Sequence, residues 1–172
     1  NLTGELPFEI GDFDELKTLN LYANQITGVI PVTIGNLSNL VSIDFNFSEL
    51  NGAIPSTLGN LSNLLSLELT QNQLSGSIPS ELGNLLNLQE VGFANNQLTG
   101  EIPSELANMG SSFSNVNTFE QYSYLTNLNF HNNNLSGTFP LEWCVLTFTS
   151  GVPDIFVDNP NIVNENDYCD EF

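Results

Sequence analysis

Leu2-Thr3-Gly4-Glu5-Leu6-Pro7 and Ile26-Thr27-Gly28-Val29-Ile30-Pro31 are one phrase written twice, and it returns from Leu50, Leu74, Leu98 and Leu135. The first five starts lie 24 residues apart; the sixth follows after 37, so one unit carries a 13-residue insertion. Gly4, Gly28, Gly52, Gly76, Gly100 and Gly137 fill one column, and Pro7, Pro31, Pro55, Pro79, Pro103 and Pro140 another. Two columns filled in every unit mark an internal repeat, and a period of this size is the signature of stacked coils. The second half of each unit reads L-x-x-L-x-L-x-x-N-x-L, as in Leu64, Leu67, Leu69, Asn72 and Leu74. Leu67 and Leu69 alternate with Ser66, Glu68 and Thr70, the period of a strand with one buried face. The Asn amide can satisfy backbone groups where the chain turns. The Gly and Pro that follow bend the coil and keep it from running on as a helix. A coil this short cannot bury its own leucines, so neighbours must stack into a solenoid.

The pattern resembles the plant-type leucine-rich repeat, L-x-G-x-I-P-x-x-L-G-x-L-x-x-L-x-x-L-x-L-x-x-N-x, over residues 2 to about 147. Ser48 replaces the turn Asn in one unit, and Ala107 replaces the Gly found at Gly11, Gly35, Gly59 and Gly83. The resemblance implies an α/β-type repeat solenoid: right-handed, with a parallel concave sheet, short 3-10 or irregular convex segments and a C-terminal cap. Six coils are expected over 1–147, with the insertion within 110–124, and a cap over 148–172. Cys144 and Cys169 resemble the disulfide that pins such caps in secreted proteins of this family; closing that loop would contribute about 3 kcal/mol. An oxidising, extracellular or cell-surface setting follows from that pairing. At the other end the chain opens inside a repeat. A solenoid needs a polar cap, so further repeats or a cap are expected upstream, and the bare first coil is a candidate for self-association.

Composition narrows the partners. The chain has 172 residues, with 20 Asp and Glu against one Lys and no Arg, for a net charge of -19. Cations to neutralise phosphates are missing, which excludes a conventional nucleic-acid binder and docking on an anionic membrane surface. With 40% hydrophobic residues there is enough to bury, so disorder is not expected. No apolar run reaches the ~18 residues of a membrane span. Two cysteines are too few for a four-ligand zinc site, and His131 is the only histidine, so no metal site or cofactor is expected.

The strand positions line up in columns. One reads Asn20, Asp44, Glu68, Gly92, Asn129; others carry Glu90, then Tyr22, Asn46, Thr70, Ala94, His131, then Ala23, Phe47, Gln71, Asn95, Asn132. All four columns are expected to be exposed on the strands. Asp44 and Glu68 fall on adjacent strands about 4.8 Å apart, with Glu90 diagonal to Glu68, and Lys17 lies at the far end. The row reads either as a solvated surface screened by salt or as a patch for a cationic partner or a divalent ion. Weak calcium is the reading offered by the acids that crowd the cap, Asp154, Asp158, Glu165, Asp167, Asp170 and Glu171, although no loop there matches an ordered calcium motif. Tyr22 and Phe47 beside it are the aromatic anchors that binding faces use. The insertion carries Phe113, Phe119 and Tyr122 and feeds the strand beginning near Leu125; it forms either a wall of the binding face or a loop packed on its own coil. Sequons stand at Asn1, Asn36, Asn46, Asn60 and Asn134. Asn36, Asn46, Asn60 and Asn134 read as glycosylation sites, those in the repeated G-N-L-S-N-L phrase alternatively as by-products of the motif. A glycan on Asn46 would block the concave face.

These features point to a non-catalytic extracellular recognition module. Tyr22, Asp44, Asn46, Phe47, Glu68, Gln71, Glu90 and His131 would meet a protein or peptide ligand, with Phe113, Phe119 and Tyr122 as one wall. Carboxylates at strand spacing approach the separation used by retaining glycosidases, but an open sheet offers no pocket and no apolar site to raise an acid. The alternatives are an acidic wall or matrix protein working through divalent cations, and an inhibitor of secreted glycosidases. A polar ladder at Thr3, Thr27, Asn51, Ser75, Thr99 and Ser136 is either a second strand-like edge of the repeat or a regular surface suited to ice.

Overall fold

The computed structural model describes residues 1–113, 121–123, 125–138, 154–156 and 162–163. Among these residues are sixteen short strands, numbered in chain order. Strands β2 (Thr18–Asn20), β4 (Ser42–Asp44), β6 (Ser66–Glu68), β8 (Glu90–Gly92), β12 (Asn127–Asn129) and β15 (Asp154–Phe156) form one parallel sheet, each beside its predecessor in that series. The edge of every coil adds a second ladder: β1 (Thr3–Glu5) pairs with β3 (Gln25–Thr27), and β5 (Asn51–Gly52), β7 (Gln73–Gly76), β9 (Gln97–Gly100) and β13 (Asn134–Leu135) form a row. A single bridge, Val29 to Asn51, links these two groups. The insertion forms an antiparallel hairpin of β10 (Ser111–Phe113) and β11 (Gln121–Ser123), and β14 (Gly137–Thr138) pairs with β16 (Ile162–Val163). The chain is thus a solenoid of stacked parallel strands, as the repeat requires. Register holds across the insertion, with Glu90, Val91 and Gly92 facing Asn127, Leu128 and Asn129.

Between the ladders each of the first five coils makes a five-residue 3-10 turn: Phe8–Asp12, Val32–Asn36, Ser56–Asn60, Ser80–Asn84 and Ser104–Asn108. The Pro before each turn fixes an extended entry, which suits a tight turn rather than a long helix. The glycine inside it lets the next coil come close: a Cβ on Gly35 would run into the Thr57 main chain. Hydroxyls tie the turns together, Thr33 Oγ1 donating to the Phe8 carbonyl at 2.6 Å and Thr57 Oγ1 to that of Val32 at 2.7 Å.

Inside, Leu37, Leu40, Ile43, Leu61, Leu64, Leu67 and their counterparts in the later coils are buried in one continuous core. Each such side chain stabilises by roughly 1.5–3 kcal/mol relative to exposure. Phe93 and Phe130 stack at 5.7 Å, carrying the core past the insertion. An asparagine ladder seals one corner. Asn72 Oδ1 accepts the Leu50 N–H at 3.0 Å, while its Nδ2 donates to the Phe45 and Leu69 carbonyls at 2.9 and 3.2 Å. Asn96 and Asn133 repeat these bonds to Leu74 and Leu98. Ser48 keeps one bond of this set, a long one from Oγ to the Leu21 carbonyl at 3.4 Å. On the first coil Leu2 and Phe13 are 56% and 59% exposed, whereas Leu50 and Leu37, at the same repeat positions, are wholly buried.

Candidate functional site

The six-stranded sheet brings the expected carboxylates together. Asp44 pairs with Glu68 and Ser66 with Glu90, so Glu90 stands diagonal to Glu68 on the next strand. Asp44 and Glu68 each have a neighbour that orients them. Asn20 Nδ2 donates to Asp44 Oδ2 at 3.3 Å, and the Asn46 N–H to Asp44 Oδ1 at 3.1 Å. Asn46 Nδ2 donates to Glu68 Oε2 at 3.1 Å, and its Oδ1 accepts the Thr70 N–H at 2.6 Å. Glu68 is half-buried because Gly92 lacks a side chain; its carboxylate, with the Thr70 hydroxyl, fills the space a Cβ would take. That burial pushes the Glu68 carboxyl above its ordinary value, Glu90 and Asp44 push the same way, and the Asn46 bond pulls against them.

The columns are not uniformly exposed strand positions. Gly92 and Ala94 are buried, and Asp44, Asn46, Glu68 and His131 are half-buried. The column of Ala23, Phe47, Gln71, Asn95 and Asn132 lies beyond the strands, every member in the left-handed region at φ 52–59°. The turn Asn that follows this residue donates back to the two carbonyls before it, Asn72 Nδ2 to those of Leu69 and Thr70, and that closure fixes the chain there. The turn also throws Phe47 outward, where it meets Tyr22 edge to face at 5.5 Å between ring centres. Both rings are about half exposed, at 45% and 51%. Gln71 and Glu90 are exposed nearby.

At the other end of the sheet His131 sits in an amide network. Its Nδ1 hydrogen is assigned toward Asn129 Oδ1, and its Nε2 then accepts from Asn95 Nδ2 at 3.3 Å; Asn132 Nδ2 donates to Asn95 Oδ1 at 2.8 Å. Asn20 and Asn95, which orient Asp44 and His131, escaped the sequence reading as site residues. The signal was their place in the same columns. Phe113 and Tyr122 lie on the two hairpin strands, opposite Gln121 and Ser112. Phe119, Cys144 and Cys169 fall outside the described residues. Of the sequons, Asn36, Asn60 and Asn134 are exposed and Asn46 is half-buried. Among the described residues no three His, Cys, Asp or Glu gather as a metal site would need, and no helix is long and apolar enough to cross a membrane.

A family model described as a leucine-rich repeat region matches residues 1–160. No curated protein matches in sequence. Among solved structures, the ectodomain of the plant membrane receptor kinase GASSHO1/SCHENGEN3 from Arabidopsis thaliana, in complex with CASPARIAN STRIP INTEGRITY FACTOR 2, is 36% identical with a TM-score of 0.77, covering 91% of this chain and 18% of that one. The plant peptide hormone receptor RGFR1 in complex with RGF2 is 28% identical, TM-score 0.75, covering 92% and 22%. A plant ice-binding protein is 27% identical, TM-score 0.71, covering 94% and 46%. The chain therefore spans less than half the length of each.

Proposed function

For a chain that belongs to the leucine-rich repeat family over residues 1–160, we propose the role of a non-catalytic extracellular recognition module that binds a protein or peptide on its six-stranded face. The observation that carries this reading is the exposed Tyr22–Phe47 pair beside the oriented carboxylates of Asp44 and Glu68. Paired rings held by a rigid turn lose little freedom on binding, and aromatic residues dominate interface energetics. Similarity to the GASSHO1/SCHENGEN3 ectodomain and to the peptide hormone receptor RGFR1 supports the same assignment. Asp44, Glu68 and Glu90 give the face a negative field suited to basic side chains of the ligand. The test is capture of secreted proteins and peptides by the parent chain against Tyr22→Ala, Phe47→Ala and Asp44→Asn with Glu90→Gln, each with calcium and with chelator. A ligand lost in these variants and indifferent to calcium supports the reading. Capture that is equal throughout and abolished by chelator would replace it with a cation-dependent matrix protein.

A second reading rests on the other ladder. Thr27, Asn51, Ser75 and Thr99 occupy equivalent positions on successive coils, flanked by exposed Gln25, Gln73 and Gln97, as a regular polar surface. Similarity to the plant ice-binding protein favours testing it. Thermal hysteresis and ice recrystallisation are the measurements, with Ser75→Tyr as the variant that should abolish any effect.

A further inference from the structure

We propose that Asn36 and Asn60 are sites of N-linked glycosylation, one coil apart on the 3-10 side of the solenoid. Each is the last residue of its 3-10 turn, exposed, and among the described residues its side chain makes no hydrogen bond. In both, the N–H of the Ser two positions on donates to the Asn carbonyl, Ser38 to Asn36 at 2.9 Å and Ser62 to Asn60 at 3.0 Å. The acceptor amide and the hydroxyl that marks it are thereby presented together, with Leu37 and Leu61 wholly buried between them as anchors. The next coil supplies an internal control. Asn84 ends the same turn, is exposed, and its carbonyl accepts the Leu86 N–H at 3.0 Å. The difference is chemical: Leu86, 42% exposed, stands where the hydroxyl would be.

Asn46 belongs to a sequon of another kind. Both ends of its amide are engaged, with Glu68 and with the Thr70 N–H, and its Ser48 hydroxyl is buried against the Leu21 carbonyl. A sugar on that nitrogen has to displace part of the set that orients Glu68. The folded protein is therefore decorated on its 3-10 side while the six-stranded face around Glu68 stays bare.

The co-reactant is an oligosaccharide carried on a lipid pyrophosphate. The Asn Nδ2 forms a bond to the anomeric carbon, and the bond from that carbon to the pyrophosphate oxygen breaks. The lipid pyrophosphate leaves with the bonding pair, and the proton lost by Nδ2 passes to solvent or a base of the transferase.

The chain is to be produced behind a secretory leader in a eukaryotic host and recovered from medium and from cell membranes alike. Peptide mass spectrometry then reads the Asn-to-Asp conversion left by enzymatic deglycosylation in heavy-oxygen water. The expected result is sugar on Asn36 and Asn60 and none on Asn46 or Asn84. Asn36→Gln and Asn60→Gln each remove one glycan from the intact mass, and Leu86→Ser adds one at Asn84. Bare Asn36 and Asn60 in both fractions, a glycan on Asn46 in the secreted form, or no gain in Leu86→Ser would overturn the proposal.

Discussion

Asn46 reaches from one strand turn to the next and donates its Nδ2 hydrogen to Glu68 Oε2 at 3.1 Å. This bond holds a carboxylate over Gly92 that burial, together with Glu90 and Asp44, drives toward its neutral form. A raised value means the folded chain binds that proton more readily than the unfolded one. The stability it contributes is fully present below the ordinary value of 4.5 and is lost as pH rises through the folded value. Glu68→Gln keeps an oxygen for Asn46 and removes the charge. The variant is expected to melt above the parent near neutral pH, with the gap closing below about pH 4, where the parent carboxyl is itself protonated. Thermal scans across that range check it; coincident curves at neutral pH would show that Glu68 carries no net strain.

The solenoid was legible because its causes are local and repeat: an alternating leucine pair, a turn Asn, and a Gly and Pro recur at fixed positions. Column arithmetic even survived the insertion, since Leu125 to Leu135 repeat the strand phrase, and Gly92 does face Asn129. The half-burial of Glu68 was not legible. It depends on the missing side chain of Gly92 on the neighbouring strand, and a column read as uniformly exposed conceals it. Nor was the left-handed turn at Phe47, because a Phe there runs against its own preference and is imposed by closure of the coil. The hairpin of the insertion has no counterpart in the other units from which it could be read.

Asn72 is the test of the ladder. Replacing it with Ala strips an acceptor from the Leu50 N–H and a donor from the Phe45 and Leu69 carbonyls, all within the coil corner. A cost of about 2–4 kcal/mol is expected by chemical denaturation. The converse change, Ser48→Asn, gives its coil the amide that the others have and should stabilise by about 1 kcal/mol. A loss instead would mean that the corner at Ser48 is too tight for an amide.

Two glycine columns should fail for different reasons. Gly35→Ala drives a Cβ into the Thr57 backbone and has to push two coils apart, so a loss of about 1–3 kcal/mol is expected. At Gly76 the nearest atom to such a Cβ is that of Ala53 at 3.8 Å, and the cost there comes from φ of +78° alone. That strain is worth roughly 1–2 kcal/mol. The columns separate on Asn substitution: Gly76→Asn should recover part of the loss, since Asn tolerates the left-handed region, whereas Gly35→Asn should be worse than Ala. Equal behaviour at the two sites would contradict the assignment.

The Tyr22–Phe47 pair separates recognition from folding. Its rings meet at 5.5 Å and 66° but remain about half exposed, so truncating either should cost under about 1 kcal/mol of stability. If these rings anchor a ligand, the same truncations should weaken capture at least about tenfold, a loss near 1.4 kcal/mol in binding. Phe47→Gly is the informative variant, because Gly adopts the left-handed turn without strain and preserves the backbone that Phe47 shapes. Lost binding with an unchanged melting temperature in Phe47→Gly assigns the effect to the ring. Binding that survives both Tyr22→Ala and Phe47→Gly would move the recognition surface away from this end of the sheet, toward the amide network around His131.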